Sequence, residues 1–130
     1  MIVNIRQTGY VALITVLVVG AASLAIGLAL LAAGTDRQRT VLVTQQSALA
    51  RSITTSCVED ALQQIHDNTS FTGTNNLSIG SNSCSYTVTN LGGTSRQIDA
   101  TSTIGTIVRK TQVYATIGAS SISITSWQEI

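Results

Sequence analysis

An uncharged stretch from Tyr10 to Gly34 constrains this chain more than any other feature of its sequence. It contains 25 residues, none of them Asp, Glu, Lys or Arg. As an α-helix it would reach roughly 38 Å, which exceeds the roughly 30 Å hydrocarbon core of a bilayer. We therefore predict a transmembrane helix over residues 10–34. A cleaved secretory signal is the alternative, although the apolar core of such signals runs only about 7 to 15 residues.

The overall composition narrows the class of protein further. Only 10% of the 130 residues are charged, whereas a soluble domain averages roughly 25%. The seven basic and six acidic residues leave a net charge of +1, so the chain has no basic stripe for nucleic acid. This balance argues against a soluble cytosolic enzyme and indicates no nucleic-acid contact.

Small residues recur within the predicted span. Small side chains allow helices to approach closely in lipid, whereas the simpler explanation is that Ala is abundant here. Ser23 and Gly27 form a second small pair beside the alanines. Under the first interpretation, the residues that pack against neighbouring helices are Ile14, Gly20, Ala21, Ala25, Gly27, Ala29 and Ala33.

The segment after the span is predicted to be an amphipathic helix over residues 35–66. It contains neither Gly nor Pro up to Ile65, and its apolar positions recur every four residues at Leu49, Ile53, Cys57, Ala61 and Ile65. We expect one continuous helix from Tyr10 to Ile65, roughly 84 Å long. Two helices with a hinge at Gly34 and Thr35 are the alternative, since Gly weakens a helix.

Residues 67–130 change in composition and predict a β domain. Ser and Thr make up 23 of these 64 residues, and apolar residues alternate with polar ones, as at Cys84, Tyr86 and Val88. We predict about four antiparallel strands, with Leu77 to Ile79 as a possible fifth. Because their apolar face is thin, the helix must cover it. The expected fold class is α+β, a long helix packed on a small antiparallel sheet.

The N-terminus resembles a known processing signal. A short polar leader, Met1 to Gly9 (MIVNIRQTG), ends in Gly and is followed by Tyr10 and the apolar run. This resembles the class III signal of type IV prepilins, and the run Gly-Tyr-Val-Ala-Leu-Ile is similar to the start of PilX-type minor pilins. The resemblance implies that prepilin peptidase cuts after Gly9 and methylates Tyr10, the new N-terminus.

Two positions depart from the major-pilin pattern. The fifth residue after the expected cut is Ile14 where major pilins have Glu, and Leu31 stands near the place of a helix-breaking Pro. In the family, that carboxylate meets the N-terminus of a neighbouring subunit inside the filament. The absence of both the Glu and the Pro fits a minor pilin or a tip pseudopilin better than a self-stacking major pilin.

The resemblance also implies partners and a location. The partners would be other pilin subunits, the prepilin peptidase and the pilus assembly platform. The chain would cross the cytoplasmic membrane once, with its C-terminal domain exported, and would lie in an extracellular pilus after assembly. A pseudopilin of a type II secretion system is one alternative. A non-polymerising, membrane-anchored surface domain that binds a ligand is another.

The two cysteines and the single histidine are the main candidates for catalysis or metal binding, and they are few. Cys57 and Cys84 could form a disulfide, remain buried free thiols, or act as a catalytic or metal-bound pair. With no CxxC spacing and no second histidine, we predict no metal, no cofactor and no enzymatic activity. We expect His66 to lie at a polar helix end, and Glu59 and Asp60 on a solvated face.

Two further surface features each have two interpretations. Arg96, Arg109 and Lys110 fall on neighbouring predicted strands, where they would form a positive patch or protect a strand edge. Trp127 would pack the last strand onto the helix or stand exposed as a contact.

Overall fold

The computed structural model of the chain describes residues 5–130, with side chains from Thr8 onward. It divides into two compact units, residues 1–41 and 42–130. One long helix precedes five strands: α1 (Ile5–Asp67), β1 (Gly73–Ile79), β2 (Asn82–Gly92), β3 (Ser95–Ile104), β4 (Ile107–Ile117) and β5 (Ile122–Glu129). This α+β arrangement confirms the predicted fold class.

Helix α1 is longer than predicted and unbroken. Its 63 residues begin at Ile5 rather than Tyr10, and they continue through Gly34 and Thr35 to Asp67. The hinge alternative was therefore wrong. A single Gly costs about 1 kcal/mol in a helix, and helix formation propagates cooperatively from both sides of it. The Thr35 hydroxyl also donates to the Ala32 carbonyl at 2.8 Å, so this polar side chain bonds within the helix.

The sheet is an antiparallel meander in which each strand pairs with the next along the chain. Three of its hairpins close with two-residue turns, Gly80-Ser81, Gly93-Thr94 and Gly105-Thr106. The first residue of each is Gly at positive φ, 61°, 57° and 60°. A II′ hairpin turn requires this conformation at its first central residue, which explains Gly there.

The sheet has five strands rather than about four. The possible fifth strand at Leu77–Ile79 is part of β1, which extends back to Gly73 and pairs with β2 along its whole length. The residues Gly73, Asn75 and Asn76 carry little strand propensity of their own. Pairing with β2 supplies the order that local sequence does not.

The core of residues 42–130 lies between α1 and one face of the sheet. The helix contributes Ile53, Cys57, Val58, Ala61 and Ile65, all less than 5% exposed. One predicted position was wrong: Leu49 is 44% exposed and Ala50 is buried in its place. Four residues advance a helix by about 40° beyond one turn, so a strict four-residue repeat leaves the buried face after a few steps.

The strands alternate between the helix-facing side and the outer side. Cys84, Tyr86 and Val88 in β2 are buried against the helix, as predicted, while Ser85 and Thr87 lie on the other face. Strand β3 continues the same face with buried Ile98, Ala100 and Ser102, and β4 continues it with Thr111, Val113 and Ala115. Helix and sheet therefore share one contiguous apolar core.

Candidate functional site

The first part of α1 is an apolar surface without any covering. Every side chain from Thr8 to Val41 is exposed. Helix α1 includes an 18-residue stretch with mean hydropathy 2.5, none of it buried, and it is long and apolar enough to cross a membrane. A contiguous exposed apolar surface of this size is unfavourable in water and favourable in lipid.

Polar side chains in this segment bond to their own helix. The Thr15 hydroxyl donates to the Val11 carbonyl, and the Ser23 hydroxyl donates to the Val19 carbonyl at 2.8 Å. In hydrocarbon no water is available for a hydroxyl group, so an internal acceptor removes the cost of exposing it. These two bonds suit the segment to an apolar environment.

The two residues of the predicted cleavage site lie inside α1. Gly9 has open space where a Cβ would be, and Tyr10 is 67% exposed. Met1 to Asn4 of the predicted leader lie outside the described residues. The structure therefore describes the bond between Gly9 and Tyr10 in the uncut chain. Cleavage at this bond stays a prediction.

The predicted helix-packing residues divide between two faces of α1. At about 100° per residue, Gly20, Ser23 and Gly27 fall within about 60° of one another. The alanines occupy the opposite side over about 120°, and Ile14 lies among them. This second face comprises Ile14, Ala21, Ala25, Ala29 and Ala33. A helix with two such faces has room for two neighbours.

Cys57 and Cys84 form a disulfide. Their Cα atoms are 6.2 Å apart, and the bond joins α1 to β2 across 27 residues of sequence. Both residues are buried, at 0% and 4% exposure. The disulfide interpretation is confirmed, and in this oxidised state neither sulfur is available as a nucleophile or a metal ligand.

A second link between helix and sheet is a buried triangle of oxygens. The Ser102 hydroxyl is 2.7 Å from the Ala50 carbonyl oxygen, and the Thr54 hydroxyl is 2.8 Å from the same oxygen. The two hydroxyls are 2.6 Å apart. Two hydroxyl hydrogens serve three contacts, so two of the three are hydrogen bonds at any moment. The triangle satisfies every polar group that it buries.

A third link joins Tyr86 to the helix. Its hydroxyl donates to Asp60 Oδ2 at 2.7 Å and accepts from Asn75 Nδ2 at 3.3 Å. Burial, reinforced by the bond to Asp60, raises the pKa of the Tyr86 hydroxyl above its usual 10.0. Glu59 is exposed as predicted, whereas Asp60 is half-buried and does not belong to a solvated face.

The predicted positive patch does not form. Arg96 is only 6% exposed, and Arg109 is half-buried with its Nη2 bonded to the Ser47 hydroxyl. Lys110 is exposed and follows Arg109 directly, so it points to the opposite face of the sheet. Alternation places Lys110 on the face opposite Arg109. Arg96 and Arg109 share the helix-facing side but lie far apart along the strands, since Arg96 pairs with Ala115 and Arg109 pairs with Ser102.

His66 and Trp127 complete the predicted features. His66 lies in the last turn of α1, with Nδ1 3.5 Å from Asp67 Oδ1 and both side chains exposed, which agrees with a polar helix end. Trp127 is 42% exposed, so the packed interpretation was wrong. Trp127 pairs with buried Val113 and lies on the same face of the sheet. Because β5 is the edge strand, a neighbouring strand flanks Trp127 on one side only.

The described residues contain no group of three or more His, Cys, Asp or Glu side chains that could hold a metal ion. Comparison of the chain with protein-family models, curated proteins and solved structures finds no match. The described residues therefore include an exposed apolar helical surface and a small domain whose helix and sheet are joined by the disulfide and by several polar side-chain contacts.

Proposed function

We propose that this chain is a minor structural subunit of a type IV pilus, processed after Gly9 by prepilin peptidase and incorporated into the pilus through its apolar helix. Its role is packing rather than catalysis. The subunit waits in the cytoplasmic membrane as a single-pass precursor with residues 42–130 exported, and the assembly platform then moves it into the growing filament.

The proposal rests on one observation: the first part of a single unbroken helix is exposed and apolar, and a later part of the same helix is packed against a sheet. Residues 8–41 of α1 expose an apolar surface that needs lipid or other helices. Residues 50–65 of the same helix bury their apolar side chains against an antiparallel sheet. Burying apolar surface against another helix is no more favourable than burying it in lipid. Affinity between subunits must therefore come from close contacts between small residues. The glycine and alanine faces of α1 supply such residues.

The disulfide supports an exported location for the second unit. Disulfides persist in oxidising compartments and are rare in the cytosol. A domain of 89 residues, 42–130, is small, and a small domain gains from a cross-link because its core is limited. The bond between Cys57 and Cys84 therefore fits residues 42–130 acting outside the cytoplasm.

The proposal is tested by the mass and N-terminal sequence of the protein in the surface fraction of its native host. We expect a chain that begins at Tyr10 and carries an additional mass of about 14 Da, the methyl group that prepilin processing adds. Gly9→Val should leave the chain uncut, because the resemblance places this glycine directly before the cut. Thr8→Val is the control, since it places the same valine side chain one residue earlier and leaves Gly9 in place.

The alternatives predict different results in the same measurement. A membrane-anchored surface domain that does not polymerise retains Met1 and is unaffected by loss of the peptidase. A secreted domain begins after Gly34. Either N-terminus would overturn the pilus assignment. A type II secretion pseudopilin begins at Tyr10 as well, and it is distinguished by whether the protein is recovered in long surface filaments.

A further inference from the structure

The side chain of Arg96 ties two loops together at one end of the sheet. Its Nη1 donates to Asn90 Oδ1 at 2.9 Å and to the carbonyls of Gly93 and Ser95 at 3.0 Å. Its Nη2 donates to the Thr69 carbonyl at 2.9 Å, in the loop that follows α1. All four acceptors are neutral oxygens, so the guanidinium has hydrogen bonds but no opposite charge.

This positive charge is buried without a counter-ion. Arg96 is 6% exposed, and among the described residues the ion pairs are Arg51 with Glu129 and His66 with Asp67. Arg96 Nε is also buried and has no hydrogen-bond partner. Buried charges in proteins are normally paired, because desolvation of an isolated ion is costly. The Arg96 side chain therefore lacks both an opposite charge and a hydrogen-bond acceptor for its Nε–H group.

Arg96 lines an open cavity of ≈ 370 Å³. Thr69, Ser70 and Thr94 contribute to its wall, together with Ile117 and Ala119, and no acidic residue lines it. A cavity of this size is within the range that accepts small ligands. Its lining offers hydroxyl groups around a guanidinium and no negative charge to repel an anion.

The unused donors of Arg96 match one ligand group. Nη2 carries two N–H groups and is bonded to one acceptor, and the N–H of Nε is bonded to none. These two nitrogens form one edge of the planar guanidinium, the edge that takes a carboxylate in a bidentate pair. A carboxylate on this edge satisfies both. Nε is buried in this structure, so a ligand reaches this edge only when a local movement of the side chain or of the loops around it uncovers Nε.

We propose that the cavity beside Arg96 binds a small molecule bearing a carboxylate, such as an organic acid or an acidic sugar. The carboxylate supplies the missing counter-charge, and two hydroxyl-bearing residues, Ser70 and Thr94, line the same cavity. The proposal goes beyond the proposed structural role and holds whether or not the chain enters a filament.

The binding test uses NMR of the arginine Nε–H groups in the full chain, held in detergent micelles. The chain contains six arginines, and the Arg96 signal is assigned as the one lost in Arg96→Lys. Acetate and glucuronate are titrated at constant ionic strength against sodium chloride. We expect the Arg96 signal alone to shift and saturate at millimolar ligand. Equal shifts at Arg51 and Arg109, or no saturation, would refute the site.

Asn90→Asp provides a variant that keeps the fold. Asn90 Oδ1 already accepts hydrogen bonds from Arg96 Nη1 and from the Gly92 N–H, and an aspartate keeps this acceptor while adding a negative charge. Because the internal carboxylate neutralises the guanidinium, we expect acetate affinity to fall by about tenfold or more. Wild-type affinity in Asn90→Asp would show that the unpaired charge does not attract the ligand.

A matched pair of substitutions tests the cavity itself. Ala119→Phe fills the cavity, whereas Ser120→Phe adds the same ring one residue away, at a position that does not line it. We expect the first to abolish the acetate-induced shift of Arg96 and the second to leave it unchanged. Equal binding in both variants would overturn the proposal. An Arg96 signal whose shift depends on the protein concentration and not on the acetate concentration would also overturn the proposal. The occupant of the cavity would then be a second copy of the chain.

Discussion

Reducing the Cys57–Cys84 disulfide should destabilise residues 42–130 by about 3.5 kcal/mol. The bond closes a loop of 27 residues, and the chain-entropy relation assigns roughly this free energy to a loop of that length. The effect arises because the cross-link restricts the unfolded chain, while the folded chain keeps both sulfurs packed between α1 and β2. For a domain of this size, the loss corresponds to a fall in Tm of about 15–25 °C.

The measurement is thermal and urea unfolding of the full chain in detergent micelles, with and without a phosphine reductant. Trp127 is the only tryptophan and lies on β5, so its fluorescence reports on residues 42–130 and not on the apolar half of α1. Comparing oxidised with reduced wild-type protein changes only the covalent bond, since no side chain is replaced.

The double variant Cys57→Ala, Cys84→Ala is the control for other effects of the reductant. Its unfolding should be insensitive to reduction, and it should be less stable than reduced wild type because both cysteines are buried and their removal leaves small cavities. A loss below about 1 kcal/mol on reduction of the wild type would refute the entropic reasoning. It would indicate that the unfolded chain already keeps these segments close together.

Two further predictions concern Tyr86 and Ile14. Because the pKa of Tyr86 is raised above 10.0 in the folded chain, the unfolded chain loses this proton first as pH rises past about 10, so stability should fall there. Tyr86→Phe should flatten that fall in urea unfolding between pH 8 and 10.5, at a cost of about 1 kcal/mol at neutral pH for the lost bond to Asp60. Equal pH slopes in both proteins would contradict this account. Under the proposed function, Ile14→Glu restores the carboxylate of major pilins and should raise the amount of protein recovered in filaments, with Ile14→Gln as the uncharged control. No increase would mean that the missing carboxylate does not make this subunit minor.

Local sequence patterns determined much of the architecture. The uncharged run predicted an apolar helical segment, and the absence of Pro let α1 continue past Gly34. Alternation in β2 identified Cys84, Tyr86 and Val88 as the buried face, and this placed Cys84 where it could meet Cys57. These features could be predicted from the sequence because each is a local property of consecutive residues and does not depend on a distant partner.

Only the tertiary structure decided which polar residues are covered. Arg96 is buried because the loop after α1, 27 residues earlier in the chain, supplies an acceptor at Thr69. Asp60 is half-buried because β2 presents the Tyr86 hydroxyl to it, and Trp127 is exposed because no sixth strand covers β5. A charged or aromatic residue carries no local signal of these outcomes, since its burial depends on contacts between segments far apart in sequence.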